Sequence, residues 1–93
     1  MILIYFHIFR LFQLMGRIDS DNKDYLKKVG ERIKKIRIEK NITQTELGYL
    51  CDIERPNIAR IESGGNNLTV LTLRKIAKAL EIDVVEILSN LPQ

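Results

Sequence analysis

The sequence predicts an all-α domain of five short helices in residues 24–90, preceded by an apolar N-terminal segment. Three observations predict it. Apolar residues recur at spacings of three and four, the period of one helix face. Capping residues open the short segments and turn-forming residues close them. No stretch alternates apolar and polar with period two, so strands are not expected. Ninety-three residues, 45% hydrophobic and 29% charged, suit one small domain with a modest core.

Residues 1–15, MILIYFHIFRLFQLM, stand apart from the rest. They hold Phe6, Phe9 and Phe12, all the phenylalanines of the chain, and the run is broken by His7, Arg10 and Gln13. A bilayer span takes roughly 20 apolar residues, so this stretch is too short and too interrupted. It also lacks the charged start and small-residue cleavage site of a secretory signal. Three readings stay open. It is a helix that packs on the domain or on a second subunit, with His7, Arg10 and Gln13 as its wet edge. It is an interfacial membrane anchor, the least favoured. Or it is an upstream extension, with Met15 as the natural start. Residues 16–23, GRIDSDNK, carry turn residues and read as a polar linker. The expected division is therefore an extension and linker over 1–23 and a folded domain over 24–93.

A first helix is expected from Asp24 to Lys40, with Leu26, Val29, Ile33 and Ile36 on one face. Asp24 suits its N-terminal end and Lys40 its C-terminal end. Asn41 is a left-handed stop. Thr43-Gln44-Thr45-Glu46 is a capping box. It opens a short helix to about Cys51, with Leu47 and Leu50 inward. Asp52-Ile53-Glu54 is a turn. A third helix runs from Arg55 to Ser63, with Pro56 in the first turn and Ile58 and Ile61 inward; Gly64-Gly65 ends it. After the loop Asn66-Asn67-Leu68, Thr69 caps a helix over about 70–80 that turns Leu73, Ile76, Ala77 and Leu80 inward. Asp83 caps a last helix to about Asn90.

Charge and special residues narrow the function. The formal charge is +3, but residues 23–40 alone carry +5 and residues 41–64 carry −2. The positive field thus sits on the first helix. A single cysteine, Cys51, excludes a disulfide within the chain and suits a reducing cytosol; packing is its expected role. The sole histidine, His7, has no ligand spacing around it. There is no Gly-rich phosphate loop and no nucleophile–histidine set. No catalytic residue, metal site or cofactor is expected, and an enzyme reading has almost no support.

The stretch TQTELGYLCDIERPNIARIESG, residues 43–64, places two short helices around a tight turn, as in a helix-turn-helix. Close packing of the two needs a small residue, which Gly48 supplies. The turn needs a residue tolerant of positive φ, a role open to Asp52. On the second helix Ile58 and Ile61 face inward, and Arg55, Asn57 and Arg60 are left free.

From about Val29 to Leu88 the chain resembles the Cro/cI-type (XRE) helix-turn-helix family of phage repressors and small bacterial regulators. The resemblance rests on Ile33-x-x-Ile36-Arg37, Thr43-Gln44-x-x-Leu47, Ile58-x-x-Ile61-Glu62-x-Gly64 and Thr72-Leu73-x-x-Ile76-Ala77-x-Ala79-Leu80, in that order and spacing. Gly48, Asp52 and Asn41 depart from the family's usual Ala, Gly and Gly. The resemblance implies a five-helix lambda-repressor-like domain with residues 55–63 as a recognition helix in the major groove. Arg55, Asn57 and Arg60 would read bases, Arg on guanine and Asn on adenine, and Pro56 would touch a thymine methyl. Gln44, with Thr43 beside it, would hold a phosphate. Asn66, Asn67 and Thr69 are candidate phosphate contacts, although the two Asn are equally turn formers. Arg37 and Glu62 would form an internal ion pair. Arg60 has a competing role, pairing with Glu54 or Glu62. Lys27, Lys28, Lys34 and Lys35 would add long-range attraction to DNA, with Lys34 and Lys35 also reading as a solvated face.

The expected function is a cytoplasmic, sequence-specific regulator that binds double-stranded DNA as a homodimer on a palindromic operator. Val84, Leu88 and Leu91 are the candidate dimer surface. With no effector domain expected, the protein would sense its own concentration or a partner. Its size fits autoregulatory restriction–modification controllers, antitoxins and compact phage repressors. Asn66-Asn67-Leu68-Thr69 followed by Leu71-Thr72-Leu73 leans toward the restriction controllers. The rival is an antitoxin-like interaction module that neutralises a protein partner such as a toxin, with DNA secondary; the Phe-rich N-terminus is its support.

Overall fold

The computed structural model describes residues 2–89 and 91–92. Those residues form five helices: α1 (Ile2–Glu39), α2 (Gln44–Cys51), α3 (Arg55–Ser63), α4 (Val70–Ala79) and α5 (Val84–Ser89). The expected end of the last helix, Asn90, lies outside the described residues. Four of the five helices fall where capping and periodicity place them. The first does not.

The linker expected over residues 16–23 is helical, and the extension and first helix are one 38-residue rod. Within residues 16–23 Gly16 is the one weak point, costing about 1 kcal/mol, and no proline interrupts the rod. Opposite charges stand four apart at Arg17/Asp21, Asp19/Lys23 and Asp24/Lys28, a spacing that favours helix. These outweigh the turn preference of Asp, Ser and Asn. Val29 is the first buried residue of the rod, the domain reaches back along it to Asn22, and the outer half projects. The molecule measures 59 × 25 × 18 Å, with a radius of gyration of 17.1 Å, where a compact chain of this length gives about 12 Å.

The core lies among the other half of α1 and the four short helices. Ile33, Leu47, Ile58, Ile76, Leu80 and Ile87 are its fully buried large side chains. Helix α1 packs on α3 and α5, α2 packs on α3 and α4, and α4 packs on α5. Leu50, expected inward, is 57% exposed. The buried stripe of this eight-residue helix is Leu47, Gly48 and Cys51, and Leu50 falls outside it beside exposed Tyr49.

Four helices end on a residue in the left-handed conformation. Asn41 (φ 58°) follows α1, Asp52 (φ 57°) follows α2, Gly64 (φ 78°) follows α3 and Glu81 (φ 58°) follows α4. Each turns the next amide back onto a terminal carbonyl, as Ile42 N–H on Arg37, Ile53 N–H on Gly48, Gly65 N–H on Arg60 and Ile82 N–H on Ala77. Asn41, Asp52 and Gly64 match their sequence reading. Glu81 is unexpected, because nothing in its side chain favours that conformation.

Candidate nucleic-acid interface

The helix-turn-helix is built by α2, the turn and α3. Thr43 caps α2 by accepting from the Glu46 amide at 3.0 Å. At the far end the Gly48 Cα faces the turn, and a Cβ there would stand 2.4 Å from the Ile53 carbonyl oxygen. The tight approach expected of Gly48 is therefore to the turn more than to the body of α3. Pro56 occupies the first turn of α3, where its missing N–H is no loss.

Helix α3 is clamped from behind. Ile58, Ile61 and Glu62 are buried. Gly30 of α1 lies so close that a Cβ would meet the Ile61 carbonyl oxygen at 2.4 Å and that of Glu62 at 2.6 Å. One helical turn away, Gly64 sits against the Lys27 backbone. These contacts fix the distance between α1 and the end of α3, and Gly30 was not legible as a contact residue in the sequence.

The Arg37–Glu62 pair supplies orientation. Arg37 Nε donates to Glu62 Oε2 at 2.6 Å and its Nη2 to Glu62 Oε1 at 3.0 Å. Its Nη1 donates to the Ile42 carbonyl at 2.8 Å. Both side chains are buried, so this bidentate pair is charge-assisted and well shielded. The Glu62 hydrogen bond raises the Arg37 guanidinium above its ordinary range, against the opposing effect of burial. Gln44 Nε2 also donates to Glu62 Oε1, at 3.0 Å. One carboxylate thus ties α1, α2 and α3 together.

The opposite side of α3 is open. Arg55, Pro56 and Arg60 are exposed and Asn57 is half-buried. Arg60 does not pair with Glu54 or Glu62; its Nη1 donates to Asn57 Oδ1 at 2.9 Å. Asn57 Oδ1 keeps a second lone pair and Nδ2 keeps both protons, so the pattern that reads adenine survives this bond. Gln44 likewise keeps one amide proton after bonding Glu62. Arg55 and Gln44 share a shallow cleft of about 520 Å³ with Thr43, Thr45, Asn41 and Ile38. It lies at the N-terminal end of α2, where helix-start amides favour anions; α3 adds little, since Pro56 has no N–H and the Asn57 amide bonds the Glu54 carbonyl.

The remaining candidates are dispersed. Thr69 caps α4, accepting from the Thr72 amide at 3.1 Å, so its hydroxyl already has a structural task. Asn67 is exposed and Asn66 half-buried in the loop. Val84 and Leu91 are half-buried against the core, whereas Leu88 is 36% and Val85 64% exposed. Cys51 is buried between α2 and α4, its thiol directed at the Lys75 carbonyl at 3.7 Å. Burial pushes that thiol up, with a smaller opposing effect from Lys75. Among the described residues no group of three or more His, Cys, Asp or Glu is placed to hold a metal.

A helix pair joined by a left-handed turn, with the second helix locked from behind and polar in front, is the architecture of a helix-turn-helix domain. The chain belongs to the helix-turn-helix family HTH_3, of XRE type, whose model matches residues 33–87. Among its relatives is the control protein C.BamHI of Bacillus amyloliquefaciens, 35% identical over 60 residues, 63% of this chain and 74% of that protein. The restriction–modification controller C.AhdI of Aeromonas hydrophila matches in structure with a TM-score of 0.70 at 30% identity, over 72% of this chain and 97% of that one. The controller C.Esp1396I matches at 0.65 and 42% identity, over 70% of this chain and 84% of its own. The described fold agrees with these neighbours: five helices, without strands among the described residues.

Proposed function

We propose that the protein is a sequence-specific, double-stranded DNA-binding transcriptional regulator of the restriction-controller kind. Residues 24–93 are its DNA-binding unit. The observation that carries this reading is the solvent face of α3. Arg55, Asn57 and Arg60 stand there on a helix that Gly30, Gly64 and the Arg37–Glu62 pair hold at a fixed height and rotation. A rigid helix with an open polar face is what base reading in the major groove needs. The likeness to C.BamHI, C.AhdI and C.Esp1396I supports it.

In this reading Arg55 and Asn57 read bases, Arg60 reads a base and braces Asn57, and Pro56 packs on a thymine methyl. Thr43 and Gln44 approach a phosphate from the cleft at the start of α2, with Asn66, Asn67 and Thr69 on the next loop. A unit this small buries little DNA surface, so two copies act on a palindromic operator with half-sites one helical turn apart. Leu88, with Val84 and Leu91 behind it and Val85 beside it, offers the apolar surface for that dimer. The cytoplasm is the expected place of action; no described helix is long and apolar enough to cross a membrane. The rival, binding and neutralising a protein such as a toxin, draws on a single observation, the exposed apolar half of α1.

The test is fluorescence anisotropy with the DNA upstream of the protein's own gene and a scrambled duplex of equal composition. Affinity for the native duplex should exceed the scrambled one by at least about a thousandfold. Both should weaken steeply with added salt, as phosphate contacts release counterions. Equal affinity for the two duplexes contradicts autoregulatory control.

A further inference from the structure

The outer half of α1 touches nothing in its own domain. Eleven large apolar side chains between Ile2 and Met15 are each more than half exposed. They leave on the order of 1,000 Å² of apolar surface in water, where a monomer's largest patch is ordinarily about 300–600 Å². A stable interface takes about 800 Å² from each partner, so this half-helix alone carries enough surface for one.

The pattern of the helix says where an occupant lies. Ile4, Ile8, Leu11, Met15, Ile18, Asn22 and Tyr25 follow one another at alternating steps of four and three. That is the repeat of a helix–helix seam. At about 100° per residue the same face continues through Val29, Ile33 and Ile36, which are buried in the core. Whatever covers the seam therefore lies on the domain's side of α1. The domain itself closes that side from Asn22 onward. Asn22, Tyr25 and Leu26 line a cleft with Leu68, Leu73 and Leu88, and Lys27 meets Gly64.

We infer that a second copy of this helix covers the seam, running antiparallel. A parallel copy is blocked: its own residues beyond 22 would have to pass through the first copy's domain, because α1 is one continuous rod. An antiparallel copy has no such conflict. In the register that sets Ile8 against Leu11 and Ile4 against Met15 of the second copy, the pair ends before residue 22. Tyr5 then faces Phe12, and Arg10 and Arg17 point away from the seam, so no charge is buried. The contact is two-fold and closed. The two domains lie at opposite ends, with their Val29 residues, where each core begins, about 58 Å apart along the rods at about 1.5 Å per residue. That spacing exceeds the 34–36 Å or so between adjacent half-sites, so this contact joins separate DNA-binding units and does not replace the α5 surface. Phe6 and Phe9 face away from the seam, which makes the pair the smallest unit of association.

Sedimentation velocity on the full chain and on an Ile8→Glu/Leu11→Glu variant tests this. Neither side chain touches the domain, so the variant should still unfold in one cooperative transition, and the wild-type melting temperature should rise with protein concentration through the added contact. The wild type should sediment at a mass at least twice that of the variant: a doubling if α5 leaves monomers, and a doubling or more if α5 gives dimers, which carry two such helices each. Equal masses overturn the proposal, as does a wild type that shows that same single mass and floats with phosphatidylglycerol vesicles. Orientation is read from Ile4→Cys and Met15→Cys proteins under mild oxidation. Mixing the two should give a 4–15 disulfide that neither gives alone, since Cys51 is buried. Ready disulfides within the Ile4→Cys protein alone overturn the antiparallel arrangement.

Discussion

Replacing Glu62 by Gln removes one charge and one acceptor from the place where three helices meet. Three donors converge on this carboxylate: two from Arg37, at 2.6 and 3.0 Å, and one from Gln44, at 3.0 Å. An amide offers a single oxygen, so its NH₂ group faces a donor whichever way it is turned. The Arg37 guanidinium, buried with its partner, then lacks a counter-charge. Breaking a buried pair from one side costs about 3–5 kcal/mol, a large share of the 5–15 kcal/mol or so that holds a small domain together. At about 4–8 °C per kcal/mol the melting temperature should fall by at least about 10 °C. Urea unfolding gives the free energy, with an unchanged m-value showing that the unfolded state is the same. A double variant, Arg37→Met/Glu62→Leu, should recover most of the loss, because it leaves no unpaired charge. A Glu62→Gln cost below about 1 kcal/mol would refute the reasoning, since one charge-assisted bond alone exceeds that. So would a double variant as unstable as the single one.

Three further outcomes are expected. Arg55→Ala should relax discrimination at one base pair per half-site by about 1–3 kcal/mol, measured against a panel of single-substituted operators; an equal loss on random DNA would make Arg55 a phosphate contact. Glu81→Gly should stabilise the domain by about 1 kcal/mol in urea unfolding, because it relieves a left-handed non-glycine residue; a loss of stability would show a role for the Glu81 side chain. The buried Cys51 thiol is raised, so the folded state holds its proton more tightly than the unfolded state does. That stability is complete below the ordinary thiol range and is lost as pH rises through the raised value. Alkaline unfolding should therefore steepen in the wild type and flatten in Cys51→Ala, and identical alkaline profiles would contradict this.

How far the sequence is legible depends on the kind of force at each place. Thr43, Thr69 and Asp83 act within a turn of their own position, and all three cap a helix or its first turn as read. Ile33, Leu47, Ile58 and Ile76 follow helix periodicity, and all are in the core. Gly30 answers to a carbonyl on another helix, so no local pattern marks it. Residues 16–23 carry the turn residues of a linker yet are helical, because turn preference is a weak local signal, and here charge spacing and the absence of proline oppose it. The bond from Gln44 to Glu62 and that from Arg60 to Asn57 depend on side-chain geometry that spacing alone does not give. The face of α3 was legible because its inward residues are apolar and its outward ones are not.

Selection of binding sites from random duplex DNA, with purified full-length protein at moderate salt and sequencing of the bound fraction, tests the central claim most directly. The account predicts an enriched two-fold symmetric site with half-site centres about ten base pairs apart, and positions in each half that lose enrichment when Arg55 or Asn57 is replaced. A folded protein that enriches no site would contradict it.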